Sequence, residues 1–469
     1  MYNRDTGSAK NKTNEGIWGM EGNLTKGPIM KTLVKLAVPI MASSFLGTLY
    51  NLTDMAWIGL LGAKAVAGVG VGGMFTWLSQ GLASMARMGG QVQVAQCIGR
   101  GDREKAHGFA QAAVQLSAAM GIAYAVLCLI FVNQMVGFFR LEDAEAQAAA
   151  LSYTKIACGL IVFSFLTLTL TGLYTAQGDS KTPFMANLIG LMTNMILDPV
   201  LILGPGPFPR LGVTGAAIAT VTAQAIVMSI MILGIIARKR ENVLKGTRLF
   251  AKIPAEFLRG ICRIGIPTAI QGMAYCGISM ILTRMVSGYG AEAVATQRVG
   301  GQIESISWNT ADGFAAALNA FVAQNYGANQ PERIRKGIRS AAATSAVFCI
   351  CISVLVCLFA APLIQIFMDP SQTGIVAAGV HYLHIEGACY LGIGMLFLLY
   401  GYYRAVNQPG MSVILTIASL GTRVALAYLL SATPLGVTGI WLSVPIGWAL
   451  ADAIGIGYYF KNKKTKAAA

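Results

Sequence analysis

The sequence predicts an all-α integral membrane protein with about twelve transmembrane helices in two six-helix bundles, related by a pseudo-two-fold axis along the membrane normal. Three observations carry this prediction. First, 55% of the 469 residues are hydrophobic and only 12% are charged, whereas soluble globular proteins carry roughly 25% charged residues. Second, apolar stretches long enough to cross a hydrocarbon core of about 30 Å recur along the whole chain.

The third observation is an internal repeat. Residues 39–98 align with residues 267–326 at a constant offset of 228 positions, and the motif Leu-Gly-Val-Thr-Gly at 211–215 returns at 435–439. A hydrophobic chain built from two similar halves is typical of secondary transporters, in which the substrate lies between the repeats. The sequence therefore predicts a transporter rather than a single bundle.

Twelve apolar segments are predicted to span the membrane. Glycine, proline, asparagine and aspartate mark the joints between them, because these residues form turns and end helices. The predicted spans are residues 35–60, 66–98, 106–132, 149–174, 183–204, 213–237, 257–287, 292–318, 338–362, 376–403, 411–430 and 437–460. Each half has an even number of spans, so both halves start on the same side and the axis relating them runs along the membrane normal.

The positions of the basic residues predict the orientation. Most of the 35 Lys and Arg fall on one side of this topology, and only Lys64, Arg140 and Arg210 fall in the loops opposite. The basic side is predicted to be cytoplasmic, which places both termini inside the cell in a multi-pass protein of the plasma membrane. The predicted domains are a cytoplasmic tail over 1–34, a bundle over 35–237, a cytoplasmic linker over 238–256, a second bundle over 257–460 and a basic tail over 461–469.

Composition also excludes several classes of function. The net charge of +15 is distributed over short loops instead of one patch, so nucleic acid is not a predicted partner. The nine cysteines show no metal-ligand or disulfide spacing, and no catalytic constellation or soluble output domain is evident. We therefore predict no enzyme activity, no cofactor and a monomer in contact with membrane lipid. In the linker, apolar residues at helical spacing predict an amphipathic helix on the inner leaflet: Ile253, Phe257, Leu258 and Ile261.

Acidic residues inside the first half are the main candidates for function. Asp54 lies in the first predicted span, and Asp198 lies in the fifth with Asn194 one helical turn before it. An ionisable group in the bilayer is costly unless it is paired or hydrated. Two carboxylates and an amide at similar depth can share a proton or bind Na⁺, a hard cation that prefers oxygen ligands. The alternatives are helix capping for Asp198, which precedes Pro199, and a loop-side position for Asp54.

The second half carries its own charges. Glu304, Trp308 and Asp312 fall on one face of the eighth span, and Glu386 lies in the tenth. These four are the candidate lining of a cavity in the C-terminal bundle, and the two glutamates are either structural pairs or a second surface that attracts cations. Two further predictions concern arginines. An Arg423–Asp452 ion pair is expected between the last two spans, and Arg87 is expected to snorkel to the cytoplasmic surface.

The chain resembles the multidrug and toxic compound extrusion (MATE) transporters, and most of all the prokaryotic branch related to the DNA-damage-inducible type. The order and spacing of its motifs carry the resemblance over nearly the whole chain. These motifs lie at residues 39–59, 95–102, 176–179, 194–199 and 212–220.

The resemblance implies export of organic cations and other amphipathic compounds in exchange for Na⁺ or H⁺, through two six-helix lobes around a central cavity. It assigns the coupling site to Asp54, Asn194 and Asp198, with Thr220 joining them and Pro39 as the hinge of the first helix. A related branch uses a glutamate in the seventh span and an aspartate in the tenth. The seventh span here has no acid, so a site of that kind is not expected.

The predicted function is therefore secondary active multidrug export by alternating access, with no cofactor apart from the coupling ion. The alternative is a flippase for lipid-linked oligosaccharides, from the same superfamily. That alternative predicts a strongly cationic cavity for a pyrophosphate group. The intramembrane arginines are expected at the ends of spans or opposite acids, which favours the exporter.

Overall fold

A computed structural model of the chain describes residues 24–139, 141, 143–204, 209–237, 242–247, 252–367 and 373–468. This part of the chain consists of helices joined by turns and short loops, and it contains no β-strand. The helices are α1 Ile29–Gly59, α2 Ala63–Arg100, α3 Arg103–Gly137, α4 Ala144–Gly159, α5 Val162–Ala176, α6 Lys181–Leu203, α7 Val213–Ala237, α8 Ala255–Ser287, α9 Ala291–Gly327, α10 Pro331–Leu358, α11 Ala360–Gln365, α12 Thr373–Glu386, α13 Tyr390–Ala405, α14 Pro409–Thr416, α15 Thr422–Ser431 and α16 Val437–Ala468.

Several of these helices join end to end. The described part of the chain therefore contains twelve long helical segments, which we call rods. Helices α4 and α5 meet at a bend of 47°. A 3₁₀ turn at Gly387–Cys389 joins α12 to α13, and a π-helical turn at Ile417–Gly421 joins α14 to α15. The short α11 follows directly after α10. The predicted fold class, twelve helices in two bundles, is confirmed.

Ten of the twelve rods are long and apolar enough to cross a membrane, if the bent α4–α5 pair counts as one. The two remaining rods, α2 and α9, are repeat equivalents of one another. They pack against helices of both bundles, α2 against α8 and α9 against α1. Because much of their surface meets protein instead of lipid, they do not need the continuous apolar surface of the other helices.

The two halves that are related by the sequence repeat also have the same backbone conformation at equivalent positions. Gly62 and Gly290, 228 positions apart, precede α2 and α9 with the same φ of 101°, a conformation that glycine adopts without strain. The Nε2 atom of Gln91 donates to Oδ1 of Asn319 over 2.9 Å, and these residues are also 228 positions apart. Equivalent side chains therefore meet each other between the two bundles, as an axis along the bundles requires.

The two bundles make their tightest contact at one end of the molecule. We call this the linker end, because residues 242–247 lie there, and the opposite end with Lys64 the far end. An added Cβ would lie 1.9 Å from the Gln324 carbonyl oxygen at Gly99, and 2.0 Å from the Gln96 carbonyl oxygen at Gly327. The two contacts are related by the repeat. Only glycine allows the backbones of α2 and α9 to approach so closely.

Hydrogen bonds reinforce the same contact. The Nε2 atom of Gln96 donates to the Ala405 carbonyl over 2.8 Å, and that of Gln324 donates to the Ala176 carbonyl over 2.7 Å. All four residues are buried. Each glutamine satisfies a carbonyl at the end of a helix in the other bundle, where no intrahelical partner is available. The bundles are thus closed on one another at the linker end.

At the far end, an ion pair within the N-terminal bundle fixes the start of α4. The Asp143 side chain accepts hydrogen bonds from the backbone N–H groups of Glu145 and Ala146, 2.8 and 3.3 Å away, and so caps the helix. The Lys64 ammonium lies 2.8 Å from the same carboxylate and holds its pKa below the usual range. Lys64 was predicted in a loop, but it lies in the first turn of α2; its placement opposite the basic side stays a prediction.

The linker prediction needs one correction. Residues 242–247 form turns, and helix α8 starts at Ala255 and continues without a break into the second bundle. The apolar residues expected on a separate surface helix instead pack on the first bundle: Phe257 meets Phe109 edge to face with ring centroids 4.8 Å apart, and Ile261 is fully buried. Phe257, Leu258 and Ile261 lie in α8, whereas Ile253 precedes it; burial against protein replaces the burial in lipid that was predicted. Residues 238–241 and 248–251 lie outside the described part.

We expect Gly99→Ala to destabilise the closed contact at the linker end. The new Cβ has no room beside the Gln324 carbonyl, and overpacking against backbone costs about 1–3 kcal/mol. The melting temperature of the purified protein should fall, and transport should fall with it. The matched control is Gly70→Ala in the same helix, where a Cβ meets nothing within 4 Å. Equal melting temperatures for the two variants would contradict this account of the interface.

Candidate functional site

Asp54 and Asp198, the acidic candidates of the N-terminal bundle, lie in the interior of helices and not at their ends. Asp54 is 8% exposed and lies in α1, which continues to Gly59. Asp198 and Asn194 are fully buried in α6, where the Nδ2 atom of Asn194 donates to Oδ1 of Asp198 over 3.0 Å. Asp198 therefore does not cap its helix, and Asp54 does not belong to a loop. The two alternatives left open by the sequence are excluded.

These side chains converge because α1 and α6 pack side by side. The carboxyl groups of Asp54 and Asp198 are close enough for their charges to interact, and the phenol groups of Tyr50 and Tyr153 lie within range of both. The structure thus brings together the residues that the sequence selected. It adds the two tyrosines, which the sequence analysis missed. The sequence could have predicted Tyr50 as a site residue, because it lies one helical turn before Asp54 and so faces the same way.

Several buried oxygen atoms of the site have no hydrogen-bond partner. The buried oxygens without a hydrogen-bond partner are Oδ1 of Asp54, Oδ1 of Asn194, Oδ2 of Asp198, Oγ1 of Thr220 and the hydroxyl of Tyr50. Buried polar atoms are normally paired, so such a group indicates a place for a proton or an ion. Carboxylate, amide and hydroxyl oxygens suit a hard cation such as Na⁺. Within the described residues, no three His, Cys, Asp or Glu cluster as a transition-metal site would require.

A cavity of about 460 Å³ opens beside this site. Asp54 and Thr220 line it together with many serine and threonine hydroxyls, and we call it the N-terminal cavity. Asp198 and Asn194 are not among the residues that line the cavity; they lie behind those residues. An ion in the cavity would therefore meet Asp54 first.

Pro39 lies in α1, fifteen positions before Asp54. Proline has no backbone N–H and cannot complete the helical hydrogen bond at its position, so the helix bends there at low cost. Ile40 and Ser43, just after it, line the N-terminal cavity. A bend at Pro39 would change the wall that carries Asp54. The predicted hinge is correctly placed for that role, which stays a prediction.

The candidates in the second bundle separate into two groups. Tyr382 donates to Oε2 of Glu304 over 3.1 Å, and Glu386 is buried beside the same carboxyl group. Two adjacent carboxyls cannot both ionise at low cost, so one proton shared between them is the stable state. Trp308 and Asp312 line a second cavity, of about 320 Å³, whose lining does not include Glu304 or Glu386. We call it the C-terminal cavity.

Three arginines also line the C-terminal cavity: Arg87, Arg404 and Arg423. The prediction that Arg87 snorkels to the cytoplasmic surface is wrong, because its side chain lines both cavities. Arg404 was not considered, since the tenth span was predicted to end at residue 403. Arg404 lies in the last turn of α13, at the end of a span as expected, and lines the cavity from there. Arg87 and Arg423 lie within their spans without an acid paired to them, so the expectation fails for these two.

The predicted ion pair of Arg423 with Asp452 is not formed. Nε and Nη2 of Arg423 and Oδ1 of Asp452 have no hydrogen-bond partner, and the guanidinium lies over the Trp448 ring at 5.9 Å from its centroid. The depths of the two residues were predicted correctly. The π-helical turn just before Arg423 changes the helical phase, and so changes the face on which the arginine lies. No regular helical pattern in the sequence shows such a turn.

We expect Asn194→Ala to lower the melting temperature of the purified protein. Removal of the amide leaves the buried Asp198 carboxyl without its hydrogen bond, which costs about 1–3 kcal/mol. The matched control is Thr193→Ala, because the Thr193 hydroxyl bonds only within its own helix, to the Ile189 carbonyl. If both substitutions lower the melting temperature equally, the Asn194–Asp198 bond contributes nothing specific.

Comparisons with known proteins agree with this architecture. The family profile described as MatE matches residues 39–200 and 267–429, two segments related by the internal repeat. A "Probable multidrug resistance protein NorM" of Thermotoga maritima is 27% identical over 445 residues, 94% of each chain. An "FAD transporter" of Shewanella oneidensis is 24% identical over 93% of this chain and 95% of its own.

A solved structure has the same fold. It is described as the outward-facing conformation of a multidrug resistance MATE family transporter of the MOP superfamily. It matches with a TM-score of 0.87 and 22% identity, over 98% of this chain and 100% of that chain.

Proposed function

The chain belongs to the MatE family of multi-pass membrane transporters, and on that premise we propose that it exports amphipathic organic compounds, organic cations among them, in exchange for Na⁺ or H⁺. Members of this family are transporters and not enzymes. The names of its relatives support multidrug efflux. One relative is named an FAD transporter, so these names do not restrict the substrate to cations. The particular branch of the family stays a prediction.

One observation supports the ion coupling above all others: the group of buried, unpartnered oxygens around Asp54, Asn194, Asp198 and Thr220 beside a hydroxyl-lined cavity. Binding of a proton or Na⁺ would remove the cost of burying two neighbouring carboxylates. An ion drives a conformational change only through a difference in affinity between two states. Here that difference would come from α1, which carries both Asp54 and the bend at Pro39.

The contacts between the bundles support alternating access. The hydrogen bonds that join the bundles extend from Thr48–Asn309 towards the linker end, and the close glycine contacts lie at that end. In the opposite state the bundles would separate there and close at the far end. The linker end carries the predicted cytoplasmic loops. We therefore propose a plasma membrane protein with both termini in the cytoplasm, acting as a monomer in lipid.

The flippase for lipid-linked oligosaccharides remains the second candidate, and one observation favours it. Arg87, Arg404 and Arg423 give the C-terminal cavity the positive charge that a pyrophosphate group requires. Against it stands the acidic site of the first bundle, which the flippase alternative does not predict. An assay that compares transport of a soluble compound with transport of a lipid distinguishes the exporter from the flippase.

In cells that express the protein, we expect Asp54→Asn and Asp198→Asn to abolish efflux of ethidium, because the amides cannot gain or lose the coupling charge. The matched control is Asp143→Asn, an exposed helix cap at the far end that should export as the wild type does. Efflux is measured by fluorescence, and the Na⁺ and proton gradients are collapsed in turn. The gradient whose loss stops efflux identifies the ion.

Normal efflux by Asp54→Asn at normal expression would refute the coupling mechanism. If the wild type moves no ethidium but moves a fluorescent lipid-linked diphosphate in proteoliposomes, the flippase is the function. Expression is measured for each variant by in-gel detection of the purified protein.

A further inference from the structure

The C-terminal cavity has an unusual charge balance for a membrane interior. Its lining contains three guanidinium groups and one carboxylate, that of Asp312. Arg423 is 95% buried, since only 5% of its surface is exposed. A charge held in such a place is costly unless something pairs with it.

The protein itself leaves these groups largely unpaired. Nε of Arg87, Nε of Arg404, and both Nε and Nη2 of Arg423 are buried without a hydrogen-bond partner. Arg404 donates one hydrogen bond to Gln271, a neutral side chain. Among the described residues, no carboxylate oxygen lies within 4.0 Å of any of the three guanidinium groups. Donors without acceptors indicate that the acceptor comes from a ligand.

The nearby acids form no ion pair with the arginines, although Glu304 and Glu386 lie within electrostatic range of Arg423. Glu304 is bonded to Tyr382 and shares its surroundings with Glu386, away from the cavity lining. Asp452 lies near Gly392 and lacks an arginine partner. Asp312 alone shares the cavity, so the arginines retain an excess of positive charge.

The walls of the cavity are aromatic. The Trp308 ring lies 5.1 Å from Tyr275, 5.6 Å from Phe397 and 6.4 Å from Trp448, measured between ring centroids. Arg404 lies over the Tyr400 ring at 5.5 Å from its centroid. Such walls stack on a flat ring, while the guanidinium groups present a fork of donors that matches a sulfonate, carboxylate or phosphate.

We infer that the C-terminal cavity binds an aromatic organic anion as a substrate, between the ring system of Trp308 and the three arginines. The inference rests on the proposed function in one respect: the cavity must lie on the export path. It adds a site of opposite charge to the acidic site of the N-terminal bundle. Arg87 and Asp312 line both cavities, so the two sites adjoin each other.

The test measures binding to the purified full-length protein by calorimetry, with no gradient and at constant ionic strength. The probes are three compounds with the same ring: 1-naphthalenesulfonate, 1-naphthalenemethanol and 1-naphthylmethylammonium. We expect the sulfonate to bind roughly tenfold or more tightly than the other two, because charge-assisted hydrogen bonds are worth about 1.5–3 kcal/mol. Its affinity should fall as salt rises.

Arg423→Gln and Arg404→Gln should each weaken sulfonate binding by roughly tenfold or more. They should leave binding of the neutral alcohol nearly unchanged. Arg404 is less buried than Arg423, so its variant tests the inference even if Arg423→Gln does not fold. The matched control is Arg298→Gln, an exposed arginine in α9 that lines neither cavity.

Equal affinity of the wild type for sulfonate and ammonium would overturn the inference, whatever the result for ethidium efflux. Geranyl diphosphate is the fourth probe. If it binds more tightly than the sulfonate and displaces it, the arginines recognise lipid diphosphates and not aromatic anions. Sulfonate binding in a protein that exports neither ethidium nor the sulfonate would instead refute the proposed function and leave the binding site intact.

Discussion

The cost of placing a charge in the bilayer organises this structure. Each ionisable side chain in the membrane interior must be paired, protonated, or directed into a water-filled space within the protein. Asp54 lines a hydroxyl-lined cavity with Asp198 behind it, and Glu304 accepts a hydrogen bond from Tyr382 beside the buried Glu386. The arginines line a second cavity. The outer helices present apolar residues to lipid. The ionisable side chains and the cavities that they line therefore lie inside the protein.

Close approach of the two bundles is the second requirement, and glycine supplies it. Gly99 and Gly327 let α2 and α9 touch backbone to backbone at the linker end. At this contact the two backbones meet directly. Hydrogen bonds from Gln96 and Gln324 to carbonyls of the other bundle add specificity. The proposed alternating access requires this interface to separate and re-form.

The sequence predicted the parts of the molecule that depend on periodicity and composition. The twelve rods, the repeat axis and the grouping of Asp54 with Asn194 and Asp198 all follow from helical spacing and depth. Positions around a helix were harder to predict where the helix was irregular. A π-helical turn changes the phase before Arg423, and a longer α13 includes Arg404 in its last turn beside the cavity. The cationic cavity was missed because both effects depend on tertiary packing, which a single sequence does not reveal.

The two bundles keep one backbone but carry different chemistry. At the repeat offset, Asp54 corresponds to Leu282, and Arg87 corresponds to Ala315. The acid of the first bundle thus has no counterpart in the second, and the arginine in α2 has none in α9. The repeat is retained at the contact between the bundles and is lost at the two proposed ligand sites. In the proposed mechanism, this symmetric scaffold with asymmetric charges would let an ion in one bundle control an organic substrate in the other, because both ligands would favour the same one of two conformations or opposite ones.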